Sequence, residues 1–129
     1  MTLTADATVT DFWPWSPKSP ALYRAVTRVF ADERLSDHQE HTFGIRTIHV
    51  SAERGFELNG VPVKLIGANV HDDNGPLGTA AFDRAEERRA EQLIAAGFNA
   101  VRTAHNPPAP AFLDACDRLG LLVICEAFD

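Results

Sequence analysis

Polar side chains follow two consecutive predicted strands in the second half of the chain. They are Asn69, His71, Asp72 and Asp73 after one strand, and Arg102, His105 and Asn106 after the next. Imidazole, amide and carboxylate groups supply the paired donors and acceptors that vicinal sugar hydroxyls require. Because an α/β barrel gathers its chemistry at the carboxyl ends of its strands, this placement predicts an active site of that kind.

Arg102 and His105 are expected to differ in role. They fall on opposite parities of one strand, so at most one of them points into a barrel. A buried arginine requires an anionic partner, and we therefore predict that Arg102 holds a neighbouring carboxylate while His105 contacts a ligand. Glu126, at the end of a third strand, is a single carboxylate placed like a catalytic group, whereas glycoside hydrolysis requires two.

Two other interpretations of these residues stay open at this point. Turns favour Asp, Asn and Gly, so the segment from His71 to Gly78 has an explanation without ligand binding. A metal site built from His71, His105 and the aspartates is conceivable, but their spacing matches no tight metal-binding motif. The barrel context favours sugar binding over both alternatives.

The elements that position these residues alternate between strand and helix. Asn59-Gly60 predicts a two-residue hairpin turn that leads into the first long strand. The elements that follow are a strand over Val63–Val70 buried on both faces, a helix over Ala80–Ala96 closed by Gly97, a strand over Ala100–Ala104, a helix from Pro110 to Gly120, and a strand over Leu121–Cys125. This alternation predicts the start of a (β/α)8 barrel. Since a whole barrel needs about 250 residues, the 129 residues here predict part of a catalytic domain from a longer protein, called the parent below.

The chain before Ser51 is predicted to be rich in β-strands. The candidate strands are Ala7–Trp13, Leu22–Phe30 and His41–Val50. The proline-rich segment from Trp13 to Pro20 is expected to cross a sheet edge. Trp13, Trp15 and Tyr23 suggest a platform for stacking a carbohydrate, although aromatic side chains of a small β-sandwich more often lie in its core.

Composition and charge exclude several classes of protein. Hydrophobic and charged contents of 45% and 23% are those of a globular protein, and a net charge of -6 argues against a nucleic-acid surface. No apolar run approaches membrane-spanning length, so no membrane partner is expected, and Met1–Val9 shows no signal-peptide pattern, which leaves the compartment open. Cys116 and Cys125 lack metal-like spacing and are expected to be buried free thiols.

Motifs along nearly the whole chain occur in one recognisable order. They are Gly55–Gly60, Gly67–His71, His71–Gly78, Gly97–Pro108 and Cys116–Gly120, with Trp15–Tyr23 and Phe43–Arg46 upstream. In order and spacing they closely resemble glycoside hydrolase family 2, the β-galactosidase and β-glucuronidase group. The segment from His71 to Gly78 is most similar to the β-galactosidase-type branch.

The resemblance implies a fold, an activity and a set of binding residues. It implies a partial immunoglobulin-like β-sandwich over residues 1–52, then the first three βα units of a TIM (β/α)8 barrel over residues 53–129. It also implies a retaining hydrolase of terminal β-linked sugars, whose acid/base and nucleophilic glutamates lie on later strands, beyond Asp129. His71 and His105 match histidines that contact the sugar in family members, and Arg102 matches the arginine just before. The predicted substrate-binding residues, none of them catalytic, are Asn69, His71, Asp73, Arg102, His105 and Asn106.

Three positions depart from the family pattern. Ala104 stands where many relatives have Ser, Asn106 where many have Tyr, and Cys125 where an acidic residue is common. The last departure weakens any polar network expected around Glu126. The isolated chain, which lacks both catalytic glutamates, is expected to be inactive.

Several functional questions stay open in the sequence. One alternative is a non-catalytic carbohydrate-binding or structural module that kept the fold without its glutamates, and another is metal-dependent hydrolysis. No cofactor is expected in this chain, whereas some family members use Mg²⁺ near the active site, and its ligands in the parent would lie beyond Asp129. The preferred sugar (galactoside, glucuronide or mannoside) and the oligomeric state of the parent, a homo-oligomer included, are not fixed.

Overall fold

A computed structural model describes residues 4–127 of the chain. The strands are β1 (Tyr23–Ala31), β2 (Arg34–Phe43), β3 (Ile48–Ser51), β4 (Gly55–Leu58), β5 (Val61–Pro62), β6 (Gly67–Val70), β7 (Ala100–Thr103) and β8 (Leu122–Cys125), and the helices are α1 (Asp83–Ala95) and α2 (Pro110–Leu119). They form an antiparallel β1–β2 hairpin, an antiparallel β3–β4–β5 sheet and a parallel β6–β7–β8 sheet. No helix within the described range has both the length and the apolar character that crossing a membrane requires.

The strands before Ser51 match the expected ones in part: β1 lies within one residue of the predicted Leu22–Phe30 at each end. Residues 7–13 form no strand, because the described part of the chain offers their backbone no neighbouring strand. In contrast, β2 begins at Arg34, well before the expected start at His41. Its side chains are exposed on both faces and are polar except for Leu35 and Phe43, so it lacks the alternating hydrophobicity that marks a half-buried strand. Its pairing with β1 supplies its backbone hydrogen bonds instead.

The hairpin predicted at Asn59-Gly60 is confirmed. These residues have φ angles of 53° and 76°, and Leu58 pairs with Val61 across the turn. Both φ angles are positive, as the favoured two-residue turn requires. The Asn59 side chain also accepts a hydrogen bond from the Thr47 amide and donates one to the Trp15 carbonyl, which ties the turn to the segment before β1.

The parallel sheet carries both helices on one face. α1 and α2 pack against the sheet through buried side chains, among them Ala90, Val101, Phe112, Ala115, Cys116 and Leu121. Both expected glycine stops are present: Gly97 and Gly120 have φ angles of 87° and 83°, and Pro110 occupies the first turn of α2. α1 begins at Asp83, three positions after the predicted Ala80.

β6 is shorter and more exposed than predicted. The strand starts at Gly67. Before it, the Asn99 side chain accepts a hydrogen bond from the Ile66 amide and donates one to the Lys64 carbonyl, so a side chain takes the place of regular strand pairing there. Of its residues only Val70 is partly buried, so burial on both faces was a wrong expectation. β6 pairs with β7 alone, and the sheet face opposite the helices is exposed toward the carboxyl ends of the strands, where Ile124 is 53% exposed.

Trp15 joins the segment before β1 to the parallel sheet. Its side chain is 1% exposed and packs in a second core cluster with Leu58, Ala100 and Leu122. Its Nε1 donates a 2.7 Å hydrogen bond to the Asp117 carbonyl at the end of α2. The expectation that aromatic side chains fill a core is therefore right for Trp15, whereas Trp13 is 74% exposed.

The two cysteines lie in different environments. Both are free thiols, but Cys116 is buried and Cys125 is exposed, so the predicted burial is wrong for Cys125. Cys125 lies at the end of β8, where its side chain is not covered by the helices. Burial raises the pKa of the Cys116 thiol to about 12, with a smaller contribution from the neighbouring Asp117 carboxylate.

Candidate functional site

The carboxyl ends of the three parallel strands meet at one edge of the sheet. The register pairs Val70 with Thr103, and Thr103 with Cys125. His71 directly follows β6, His105 follows β7 by two residues, and Glu126 directly follows β8. Residues that are distant in sequence therefore come together at this edge, as the βα alternation predicts.

The imidazole rings of His71 and His105 lie next to each other beyond the carboxyl ends of β6 and β7. Their ring centroids are 5.8 Å apart, with 60° between the ring planes. His105 is 45% exposed, and its Nδ1 lies 3.6 Å from Glu126 Oε2. The two imidazoles thus form one polar surface, open to solvent, where donors and acceptors for adjacent hydroxyl groups are available.

Arg102 has the carboxylate partner that its sequence position predicts. Its Nε donates a 2.6 Å hydrogen bond to Glu126 Oε1, and its Nη2 lies 2.5 Å from the same oxygen. Thr103 Oγ1 accepts a 3.4 Å hydrogen bond from the Glu126 amide and fixes the backbone there. The Arg102 side chain is 40% exposed, so the expected burial of this cation is wrong in this chain, where its register partner Ile124 is also exposed.

Glu126 is the residue whose role sequence reasoning missed. Its two carboxylate oxygens face different partners, Arg102 on one side and His105 on the other. The signal that could have identified it was the requirement of Arg102 for an anion, combined with the position of Glu126 at the end of the adjacent strand. Cys125 does not prevent this network, because Arg102, Thr103 and His105 supply the contacts.

The β6–α1 loop, residues 71–82, is fastened to α1 through Arg89. Arg89 donates a 3.3 Å hydrogen bond to the His71 carbonyl and a second one to the Asp73 carbonyl. Its guanidinium also pairs with Glu86, Nη1 to Oε2 at 3.5 Å, and Glu86 in turn accepts a hydrogen bond from Asn74. Asp73 thus contacts Arg89 through its backbone carbonyl and not through its carboxylate.

The remaining predicted binding residues divide between two cavities. Asn106 lines a cavity with His71, Asp72, Glu86 and Arg89, between the two βα loops. Asn69 pairs in register with Arg102 and shares a more open cavity with it on the sheet face away from the helices. The structure therefore joins Arg102 to His105 through Glu126 and places His71 beside His105, whereas Asn69 and Asn106 line separate cavities.

Metal ligation finds no support in the geometry. Within residues 4–127, no group of three or more His, Cys, Asp or Glu side chains converges as a ligand set. A Mg²⁺ site in the parent, with ligands beyond Asp129, stays a prediction from the family resemblance, and we assign no step to that ion.

Comparison with known protein families defines the class of this protein. Residues 48–128 match the family model described as "Glycosyl hydrolases family 2, TIM barrel domain", and residues 2–46 match the one described as "Glycosyl hydrolases family 2". The chain belongs to glycosyl hydrolase family 2 and spans part of the sandwich domain and the start of the TIM barrel domain. The resemblance that the sequence motifs indicated is confirmed.

Individual relatives are glycosidases. The chain is 45% identical over 115 residues to a β-galactosidase of Bacteroides ovatus, a match that covers 89% of this chain and 14% of that enzyme. A solved family 2 member from Bacteroides cellulosilyticus has a TM-score of 0.90 at 55% identity, over 94% of this chain and 16% of that one. A Bifidobacterium dentium β-glucuronidase solved with coumarin-3-O-glucuronide has a TM-score of 0.84 at 32% identity, over 92% of this chain and 20% of that one. The chain thus spans about one seventh of the length of the curated relative.

Proposed function

We propose that this chain supplies one wall of the sugar-binding site in a retaining hydrolase that acts on terminal β-linked sugars. The observation that carries the proposal is the pairing of His71 with His105 at 5.8 Å, at the carboxyl ends of adjacent parallel strands. Family membership supports sugar as the ligand of this surface, because family relatives are glycosidases. In the parent, the domains would be an immunoglobulin-like sandwich up to residue 52 and the first three βα units of the barrel from residue 53.

The roles of the individual side chains follow from their contacts. His71 and His105 hydrogen-bond to adjacent hydroxyls of the sugar in the first subsite. Glu126 orients the His105 imidazole through Nδ1, and Arg102 holds Glu126 and balances its charge. The acid/base and nucleophilic glutamates come from other strands of the parent, and the hydrogen bonds from this wall strengthen as the ring flattens toward the oxocarbenium-like transition state.

Charge in the described site favours a neutral sugar, and we propose a β-galactosidase-like specificity. A glucuronide carries a carboxylate that needs a cation for recognition. The Arg102 guanidinium is already paired with Glu126, and Arg89 is paired with Glu86 and two backbone carbonyls. The exposed Asp72 and Asp73 beside His71 add negative charge that disfavours an anionic substrate.

Assay of the purified parent on chromogenic β-galactoside, β-glucuronide and β-mannoside tests this proposal. We expect kcat/KM to be highest for the galactoside, with retention of the anomeric configuration. A parent that hydrolyses none of the three, yet binds galactose, would support the non-catalytic carbohydrate-binding module instead. Preference for the glucuronide would overturn the charge argument.

A further inference from the structure

We propose that Arg89 is a positioning residue that holds His71 in place by fastening the β6–α1 loop to α1. This inference rests on the proposed function of His71 as a sugar contact. Arg89 itself lies on the helix, and what it contacts is the backbone of the loop and a neighbouring carboxylate. Its effect on a bound sugar would therefore pass through His71.

The hydrogen bonds of Arg89 flank a single residue of the loop. They reach the carbonyls of His71 and Asp73, so both ends of the Asp72 segment are fixed to the same guanidinium. A planar guanidinium presents its donors in a rigid fork, which defines the relative position of the two acceptors. Fixing the His71 carbonyl restricts the backbone from which its imidazole projects toward His105.

The orientation of Arg89 is fixed by its own surroundings. Its side chain is 18% exposed, and that of Glu86, one turn earlier on α1, is 7% exposed. The Glu86 carboxylate pairs with Arg89 through one oxygen and accepts a 3.4 Å hydrogen bond from Asn74 through the other. The arrangement therefore connects the helix to the loop twice, once through each member of the ion pair.

This role explains why a charged pair lies where α1 meets the loop. Burying a carboxylate costs free energy unless it is paired, and Glu86 is among the buried charged residues of the described chain. An apolar pair would fill the same space without hydrogen-bonding to the loop carbonyls. The ion pair supplies donors that an apolar pair lacks, and those donors reach the residue that faces His105.

Arg88 provides the matched control. It is adjacent in sequence and of the same type, but it is exposed, and no hydrogen bond found for the described residues joins it to the loop. Arg88→Ala and Arg89→Ala remove the same atoms from the same helix. A difference between the two variants therefore reports the contacts of Arg89 with the loop.

The first measurement is hydrogen–deuterium exchange on the parent, with the loop peptide that contains residues 71–74. We expect Arg89→Ala to speed exchange there, while Arg88→Ala leaves it unchanged. Unchanged exchange in Arg89→Ala would overturn the proposal. This readout does not depend on glycosidase activity, so it decides the structural step even if the proposed function fails.

The second measurement is a double-mutant cycle on kcat/KM. We expect Arg89→Ala to lower kcat/KM about 10-fold in the wild-type background, and less than about 2-fold in the His71→Ala background, because the residue to be positioned is then absent. An equal loss in both backgrounds would show that Arg89 acts on stability in general and would overturn the proposal. If His71→Ala alone leaves kcat/KM unchanged, the proposed function of His71 fails, and the proposal that rests on it fails with it.

Discussion

Removal of the Arg102 guanidinium tests how the ion pair with Glu126 supports the site. Arg102→Ala eliminates the 2.6 and 2.5 Å contacts and leaves the Glu126 carboxylate with His105 at 3.6 Å. Loss of one partner of a fully buried pair costs about 3–5 kcal/mol, and exposed pairs contribute about 0–1 kcal/mol. Arg102 and Glu126 are 40% and 24% exposed, between these limits. We therefore expect the free energy of unfolding to fall by about 1–2 kcal/mol.

Chemical denaturation of the parent and of Arg102→Ala, Glu126→Gln and the double variant measures this loss. The coupling between the two substitutions isolates the interaction of their side chains. Arg24→Ala is the matched control, because Arg24 also pairs with a glutamate on a neighbouring strand, Glu40, but at 68% and 44% exposure. We expect the control to change the free energy of unfolding by less than about 0.5 kcal/mol.

The same variant should also lose activity. Without Arg102, the contacts that remain to Glu126 within residues 4–127 are those of its backbone and of His105, so kcat/KM should fall about 10-fold. A coupling free energy indistinguishable from zero, together with unchanged kcat/KM, would refute the account of Glu126 as a link between Arg102 and His105. Loss of activity without coupling would place Arg102 against the sugar directly.

The remaining predictions concern the core, the thiols and the isolated chain. Trp15→Ala should lower the free energy of unfolding by about 3–5 kcal/mol, whereas the same change at the exposed Trp13 should cost less than about 0.5 kcal/mol; similar melting temperatures for both variants would contradict the packing described for Trp15. Iodoacetamide at pH 8 should alkylate the exposed Cys125, whereas Cys116 should react only after unfolding, because burial raises its pKa to about 12. Mass spectrometry of the native protein identifies the modified residue, and rapid labelling of Cys116 would count against its burial. The isolated 129-residue chain should hydrolyse no chromogenic β-galactoside and should bind ANS, because large apolar side chains such as Phe30 and Ile124 are 60% and 53% exposed; clear turnover by material free of host enzyme would overturn this expectation.

The βα elements were predictable because their signals are local. The amphipathic pattern and the terminal glycines located both helices, and Asn59-Gly60 located a hairpin. The part of β2 before His41 escaped prediction because it forms a strand through backbone pairing with β1 and shows no hydrophobic alternation in its sequence. The burial of β6 was overestimated because the apolar pattern reflects cover that residues 4–127 do not supply.

The site was predictable in its residue types but not in its contacts. General electrostatics predicts that Arg102 has an anionic partner. Identifying Glu126 as that partner requires knowing the register of the adjacent strands β7 and β8. The contacts of Arg89 with backbone carbonyls could not be predicted from the sequence, because every loop residue has a carbonyl. Tertiary contacts of this kind follow from the placement of α1 over the loop.

The central claim is that His71 and His105 contact the sugar in the first subsite, and steady-state kinetics of two variants tests it most directly. In the parent, His71→Ala and His105→Ala should each lower kcat/KM for the preferred β-glycoside by about 10- to 1000-fold, because each loses a hydrogen bond that strengthens in the transition state. Melting temperatures should stay close to that of the wild type, since both side chains lie on an exposed surface. Wild-type kcat/KM in both variants would remove the two histidines from the site and leave the segment after β6 as an ordinary turn.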